Sequence, residues 1–476
     1  MAPEIRLTAE WVAAALAGTI VRGSPRQVFA GVSIDTRTLG AGELYIAIRG
    51  DRFDGADFAD AAVSAGAGGV VVSRERARTP IVGQAEPPPD STPVTIAVDD
   101  TTVALQALAH AVRVESGAKV VAITGSAGKT TTKEVTAEFL GAKYRVIRNR
   151  GNFNNHIGLP LSLIELTARP DVAVVELGMN HAGEIRTLIR IAEPDVRVWT
   201  NVGDAHVGFF GSVDAIADAK AEILEGATPD GVLVANADDD RIAARTSSFA
   251  GRVVTFGIER PAEVRAEAVV DRGIDGMSAR VSTPRGSIDL TTPLVGRGNL
   301  ANVLAAIAVG VECDVPLAAI AERGSRLQPA PHRGEVVRLA KGVVVIDDSY
   351  NASPAATRRA LDVLRASSGT GRRVAVLGEM LELGDRSVAL HEDVGRAVAT
   401  ARLDLLITVG GDAASALGDA AVAGGLSRTR VRHLATSDEA ADALAALIQP
   451  GDLVLVKGSR GIRTDKVVDR LKAGFS

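Results

Sequence analysis

Cysteine is almost missing from this 476-residue chain: Cys313 stands alone, which excludes an internal disulfide and a cysteine-based zinc site. Aromatic side chains are scarce at 3%. The core must therefore be built from Ala, Val, Leu and Ile, the filling of parallel sheets covered by helices. No run of about 18 uncharged apolar residues occurs, so no membrane-spanning segment is expected. Positive charge is not in excess either. A formal net charge of -5 argues against a nucleic-acid or anionic-membrane partner. No targeting leader is expected, since the apolar segment Trp11–Val21 follows Glu4 and Glu10 and lacks a basic leader. It reads as a short amphipathic helix with Thr8 as its N-cap. The expected setting is soluble, reducing and cytoplasmic.

What the sequence does contain is ordinary globular material, 46% hydrophobic and 23% charged, with enough length at about 150 residues per domain for roughly three domains. The first, 1–96, carries strand-like runs at Glu43–Ile48 and Gly69–Val72 and closes on the Pro-rich stretch Ala85–Pro93, read as a linker or exposed loop. The second, 97–329, alternates buried strands (Lys119–Ile123, Val172–Leu177, Val196–Asn201, Val232–Ala235) with helical patterns such as Asp214–Leu224. This alternation predicts a doubly wound, mostly parallel sheet. Between 252 and 292 short alternating strands predict an antiparallel addition, and the helix Asn299–Val311 is expected to end the domain. The third, 330–476, predicts four strands at Val343–Asp347, Val374–Leu377, Leu405–Val409 and Leu453–Val456, a smaller Rossmann-like domain. The fold class is three α/β domains in series.

Thr124-Gly-Ser-Ala-Gly-Lys-Thr-Thr131 lies between the first strand of the second domain and a helix over Thr130–Leu140. Gly125 and Gly128 let the backbone N–H groups of Ser126, Ala127 and their neighbours turn toward phosphate oxygens, and the helix dipole favours the same anion. Lys129 reaches the β- and γ-phosphates, the Thr130 hydroxyl suits Mg²⁺, and Thr131 continues the motif. The loop encloses fewer residues between its glycines than the common pattern. With 44 arginines against nine lysines, a lysine at this place hints that lysine is required. The loop predicts a nucleoside triphosphate site, and by itself leaves motor, switch and transferase open.

Glu176 ends a buried strand at the sheet edge where ligands collect in open α/β sheets, and its carboxylate suits a Mg²⁺ shell. His206 follows another strand in Gly203-Asp-Ala-His-Val-Gly208, and Lys220 lies on the next helix. Spacing alone gives neither residue a role, and an ammonium would repel a metal ion.

Taken in order, the phosphate loop, Gly151-Asn-Phe-Asn-Asn155, Glu176-Leu-Gly-Met-Asn-His181, the His206 loop and Ala219-Lys-Ala-Glu222 resemble the Mur ligases, which build the peptide stem of bacterial peptidoglycan precursors. With Asp347-Asp-Ser-Tyr-Asn-Ala-Ser-Pro354 and Leu377-Gly-Glu-Met-Leu-Glu-Leu-Gly384, the set is most similar to the branch that adds D-alanyl-D-alanine. The resemblance covers essentially the whole chain.

It implies ATP-dependent joining of D-Ala-D-Ala to UDP-MurNAc-tripeptide through an acyl phosphate, with ATP and Mg²⁺. In the family the lysine matching Lys220 is carbamylated, which turns a cation into an oxygen-bearing anion able to share a second Mg²⁺ with His206. Ser33, Thr36 and Arg37 match the pocket for the uridine diphosphate part, in the domain that holds the nucleotide-linked sugar. Asn154 and Asn155, with Asn180 and His181 beginning a helix after Glu176, match tripeptide contacts. Asn299 matches a nucleotide contact in Gly296-Arg-Gly-Asn-Leu-Ala-Asn302, where relatives often carry His in place of Gly298. Arg333 matches the arginine that approaches the γ-phosphate, and Asp348 a residue near the ATP ribose. Lys457, Ser459 and Arg460 match a motif near the acceptor in the third domain. A Mur ligase for single amino acids and folylpolyglutamate synthase share most of these motifs, and a P-loop regulatory NTPase or binding module is the alternative from another class. Nothing in the sequence identifies a protein partner.

Overall fold

Runs of Val, Ile, Leu and Ala decide where the strands lie. The computed structural model describes residues 4–50, 52–77, 93–368 and 371–475. Two units can be distinguished, one of residues 1–122, 144–179 and 183–196, the other of 123–143, 180–182 and 197–476.

In the first unit, β1 (Thr19–Arg22), β2 (Val32–Ser33), β3 (Leu44–Ile46), β4 (Gly69–Ser73) and β5 (Val94–Val98) form a sheet of order β1-β5-β4-β3-β2. Only the β1–β5 pairing is antiparallel. Next come β6 (Lys119–Thr124), whose last two residues pass into the second unit, β7 (Val146–Arg148) and β8 (Val172–Glu176), in the order β6-β8-β7. Val120, Val121, Ala122 and Ile123 are all fully buried, as expected for a strand covered on both faces. The helix Thr101–Ser116 starts where the Asp100 carboxylate accepts the Thr102 and Val103 N–H groups, and it packs on the helices Gly158–Ile164 and Glu184–Ala192.

The apolar segment near the N-terminus is not one helix. Thr8 does cap a helix, accepting from Trp11 N at 3.3 Å, but the helix ends at Ala15 and Thr19–Arg22 pairs as β1. The β-branched residues Thr19, Ile20 and Val21 favour that extended state. The expected linker falls almost wholly at 85–92, outside the described residues.

The second unit carries β9 (Val196–Trp199, its first residue still in the first unit), β10 (Val232–Asn236), β11 (Arg252–Gly257), β12 (Val264–Asp271), β13 (Met277–Thr283) and β14 (Gly286–Thr292), neighbours in that order. The expected antiparallel addition starts later than 252. β11 is parallel to both β10 and β12, and antiparallel pairing begins with β12–β13 and continues to β14. The Asp238 carboxylate accepts the N–H groups of Ile258, Glu259 and Arg260, turning the chain directly after β11. The helix Gly296–Glu312 lies against the helix Lys129–Leu140. It is not the last of its domain, because Leu317–Gly324 follows as a further helix.

The last sheet has six strands, not four: β15 (Glu335–Arg338), β16 (Val344–Asp348), β17 (Arg373–Gly378), β18 (Leu405–Val409), β19 (Val431–Leu434) and β20 (Leu453–Lys457). Their order is β15-β16-β20-β17-β18-β19, with only β15–β16 antiparallel. The two unexpected strands are the edges. Each mixes charge with apolar residues, as edges do to discourage pairing with other chains, and so lacks the apolar run that reveals a central strand. Val345, Val374, Val376, Ile407, Val454 and Val456 make the core beneath.

Beside that core, His391 is fully buried in the helix Ser387–Thr400. Its Nε2 accepts from Met380 N at 2.9 Å and its Nδ1 donates to Ser387 O at 2.7 Å, so the partners define one neutral tautomer. Burial pushes its pKa below the ordinary 6.5, against the Ser387 carbonyl and Glu379. The folded state thus refuses a proton that the unfolded chain accepts, and this contribution, present above pH 6.5, is lost as pH falls through that value. We expect the unfolding free energy from denaturant melts to drop between pH 7.5 and 5.5, by at most about 1.4 kcal/mol per pH unit from this group. The His391→Gln variant should show a shallower pH dependence over the same window.

Candidate active site

The phosphate loop lies in the second unit, between the end of β6 and the helix Lys129–Leu140. Gly125 (φ 151°) and Gly128 (φ 81°) adopt conformations that side chains disfavour, and a Cβ at either would overlap Thr200 Oγ1 or Asn302 Oδ1. The loop is tied to the residues that follow β9. Asn201 Oδ1 accepts from Ala127 N at 2.9 Å, and its Nδ2 donates to Ala127 O at 2.8 Å. Thr200 Oγ1 donates to the same carbonyl at 2.9 Å. Ser126 N donates to Asn201 O at 3.0 Å, while the Ser126 hydroxyl exchanges hydrogen bonds with the backbone of Gly203. Lys129 Nζ donates to Gly125 O at 2.9 Å, folding its charge back over the loop. Thr130 is half-buried and Thr131 buried in the helix's first turn. The result is a rigid backbone cradle with a cation beside it, which suits a phosphate chain.

His206, expected in the loop after β9, takes a left-handed backbone (φ 66°) ahead of the short helix Val207–Phe210. Its Nδ1 lies 2.6 Å from Glu382 Oε2, and the imidazole holds the Glu382 carboxyl below the usual carboxylate range. Lys220 is 1% exposed, near the end of the helix Val213–Ala221. Asn180 and His181 do not begin a helix. The next one is Glu184–Ala192 with Gly183 at its cap, and Asn180–Ala182 precede it as a loop. The His181 ring meets Phe209 edge-on, with centroids 5.5 Å apart.

Further along the second unit, Arg333 stacks on Tyr350 at 4.0 Å and Arg460 approaches the same ring at 6.0 Å. The preceding His332 pairs with buried Asp347 at 2.8 Å, and Ser349 Oγ donates to Asp347 at 2.6 Å. Lys457 Nζ donates to Asp348 at 2.6 Å and to Asn351 O at 2.9 Å, so two residues matched to different substrates meet. Ser459 Oγ accepts from Leu381 N at 2.9 Å. Asn299 donates to Val295 O and accepts from Asn302. A Cβ on Gly298 would stand 3.2 Å from Arg359 Cδ, so arginine borders the volume that a side chain there would enter.

In the first unit, Glu176 is 3% exposed at the last position of β8. Asn154 Nδ2 donates to its Oε1 at 2.8 Å, and its backbone N donates to Asn149 Oδ1 at 3.0 Å. Asn149 in turn donates to Phe153 O. Asn155 Oδ1 accepts from Ile157 N and Gly158 N, the work of a helix cap. Ser33 closes a turn on Asp35, and Thr36 stands half-buried beside it. Arg37 is paired with Asp35 through two nitrogens, which holds the Asp35 carboxyl down to about 2.

Reading residues in sequence misses Asn149, Thr200, Asn201, Asn302, Tyr350 and Glu382. For Thr200 and Asn201 a signal existed, since they are the last two residues of the expected strand Val196–Asn201, at the ligand-bearing edge. Among the described residues no group of three or more His, Cys, Asp or Glu is placed to hold a metal ion.

Known proteins divide the chain as its sheets do. The Mur ligase family, catalytic domain, matches residues 28–120, the Mur ligase middle domain 123–310, and the Mur ligase, glutamate ligase domain 332–460. The chain is 34% identical over 471 residues to a UDP-N-acetylmuramoyl-tripeptide–D-alanyl-D-alanine ligase of Bacillus subtilis (strain 168), covering 98% of both. It is similar to a crystal structure of MurF from Acinetobacter baumannii, with TM-score 0.88, 32% identity and coverage of 99% of this chain and 100% of that one. It is also similar to MurF ligase from Thermotoga maritima in complex with ADP, at TM-score 0.79, 27% identity and coverage of 93% and 97%. A relative above 30% identity along nearly its whole length, together with three family profiles in series, leads to one conclusion: the chain belongs to the Mur ligase family and has its three-domain α/β fold.

Proposed function

We propose that this protein is an ATP-dependent amide ligase that joins D-Ala-D-Ala to UDP-MurNAc-tripeptide, giving UDP-MurNAc-pentapeptide, ADP and phosphate. The reading is carried by the end-to-end likeness to ligases of that name. The rigid phosphate cradle supports it from the chemistry. The division of labour is by domain: 1–96 holds the nucleotide-linked sugar, with Ser33, Thr36 and Arg37 in its pocket; 97–329 holds ATP; and 330–476 holds the dipeptide. Among the described residues no helix is long and apolar enough to cross a membrane.

A carboxylate is a poor acylating agent because an oxide ion cannot leave. In the first step an oxygen of the tripeptide's terminal carboxylate attacks the γ-phosphorus, the bond to the bridging oxygen breaks, and ADP departs. In the second the neutral amine of D-Ala-D-Ala attacks the acyl carbon, the carbon–oxygen bond to phosphate breaks, and the amine gives up a proton. The protein's part is orientation and neutralisation of charge. The N–H groups at the start of the helix Lys129–Leu140 and the Lys129 ammonium receive the phosphates, while the Ser126 and Ala127 N–H groups, expected there too, are held by Asn201, and Arg333 meets the γ-phosphate as charge spreads over it. Asn299 and Asp348 border the rest of the nucleotide. Asn154, Asn155, Asn180 and His181 orient the tripeptide, while Lys457, Ser459 and Arg460 orient the acceptor.

A magnesium ion arriving with phosphate would keep several waters and need few protein oxygens; the Thr130 hydroxyl and the Glu176 carboxylate are the residues that would offer them. His206 and Lys220 would hold a second ion, provided that Lys220 is carbamylated. A lysine only 1% exposed is costly as an ammonium. Addition of CO₂ to its neutral amine, with loss of a proton, makes it an anionic oxygen donor. Bound magnesium would neutralise phosphate charge.

The reading is tested by phosphate release from ATP with UDP-MurNAc-tripeptide, with and without D-Ala-D-Ala, following the nucleotide product by mass. Release that needs both substrates and yields a product heavier by the dipeptide is expected; release indifferent to the dipeptide would overturn it. The Arg333→Ala variant should bind ATP as wild type does and lose turnover by about 100-fold or more, read by calorimetry and phosphate release. Lys220→Ala should be inactive and regain part of its turnover when short carboxylic acids are added, since they replace the missing carbamate.

A further inference from the structure

We infer that Glu382 is a positioning residue for His206, selecting the ring tautomer in which Nδ1 carries the proton and Nε2 presents its lone pair. The inference rests on the reading that His206 serves the reacting centre.

Glu382 comes from the glutamate ligase domain and His206 from the middle domain, far apart in sequence. Their side chains nevertheless meet at 2.6 Å, Glu382 Oε2 to His206 Nδ1. An exposed pair of this kind would contribute little. Three observations separate this one from that case. First, Nδ1 is sealed from solvent, with the carboxylate at hydrogen-bond distance though off the ideal direction. Second, both residues hold left-handed backbones, each with φ 66°. Such conformations cost energy in residues other than glycine and persist where the surroundings enforce them. Third, the contact is clamped by the main chain. Gly208 N donates to Glu382 O at 2.9 Å, and a Cβ on Gly208 would lie 2.6 Å from Gly384 N.

The Glu382 loop is itself tied down on the domain that carries it. Met380 N donates to His391, Leu381 N to Ser459 Oγ, and Glu379 Oε2 accepts from Gly411 N at 2.6 Å. Glu382 is therefore delivered to the imidazole by a stiff support. A neutral imidazole has one proton to place, and a carboxylate against Nδ1 places it there. Histidines that bind metal or phosphate through Nε2 are oriented in this way by an outer carboxylate. Because donor and acceptor stand on different domains, the tautomer is set only while the two loops are together.

The test uses the full-length enzyme. Glu382→Ala should lower kcat by about 10- to 100-fold and leave the KM for ATP within about two-fold. A second readout needs neither nucleotide nor metal: ¹⁵N spectra of histidine-labelled enzyme, with His206 assigned by substitution. Wild type should show Nδ1 protonated and Nε2 as the lone-pair nitrogen, Glu382→Ala should lose that preference, and Glu382→Gln, which keeps an acceptor oxygen, should recover much of it. Should the alanine variant fail to fold, Glu382→Asp, whose carboxylate falls short of the ring, gives the same readout. An unchanged His206 spectrum in these variants, or unchanged kcat and KM, would overturn the inference. Full activity in His206→Ala would instead remove the reading beneath it, while the wild-type spectrum still reports whether Glu382 holds the ring.

Discussion

The rest of the site depends on a steric constraint: at two points the phosphate loop must pass where no side chain fits. Gly125 runs against Thr200 and Gly128 against Asn302, and both glycines take backbone angles that other residues avoid. Bare backbone allows this close approach, and the same closeness lets Asn201 grip Ala127 by both its N–H and its carbonyl. The loop's order is established during folding, so a phosphate that arrives meets dipoles already in place. A looser loop would have to be ordered by the ligand at the ligand's expense.

In both units, several buried polar side chains stand beside polar partners. Glu176 receives the Asn154 amide, and Asn149 takes up its backbone N–H. Asp347, fully buried, is met by His332 and Ser349. Lys457 reaches Asp348, and His206 reaches Glu382. Each arrangement obeys the cost of removing charge from water. Each also holds a chemically capable group in one orientation, which favours reaction over mere binding. The asparagines of Gly151–Asn155 are an instructive case: matched to substrate contacts by resemblance, they also orient a carboxylate and cap a helix in the folded chain.

The edges of the sheets show where local pattern loses its power. Central strands are buried on both faces and read as unbroken apolar runs, so β6, β8, β17 and β18 were legible to within a residue or so. β15 and β19 are flanked on one side only and mix charge with apolar residues, which makes them resemble loops in sequence. The segment after Leu16 failed for a different reason. Its apolar run continues that of the helix before it, and pairing with β5 fixed the extended state that its β-branched residues favour.

Composition, periodicity and the glycine–lysine motif determined the α/β class, the central strands and the phosphate site, because each is a property of neighbouring residues along the chain. Ordered motifs added the family and a set of candidate residues. Tertiary structure alone decided the partners: Thr200 and Asn302 beside the glycines, Tyr350 beneath Arg333, Asp348 with Lys457, and Glu382 on His206. Those pairs join residues up to 176 positions apart, as His206 and Glu382 show. No local period encodes such a distance. A side chain's chemistry is written in its type, whereas the tautomer it adopts and the charge it faces depend on what the fold places against it.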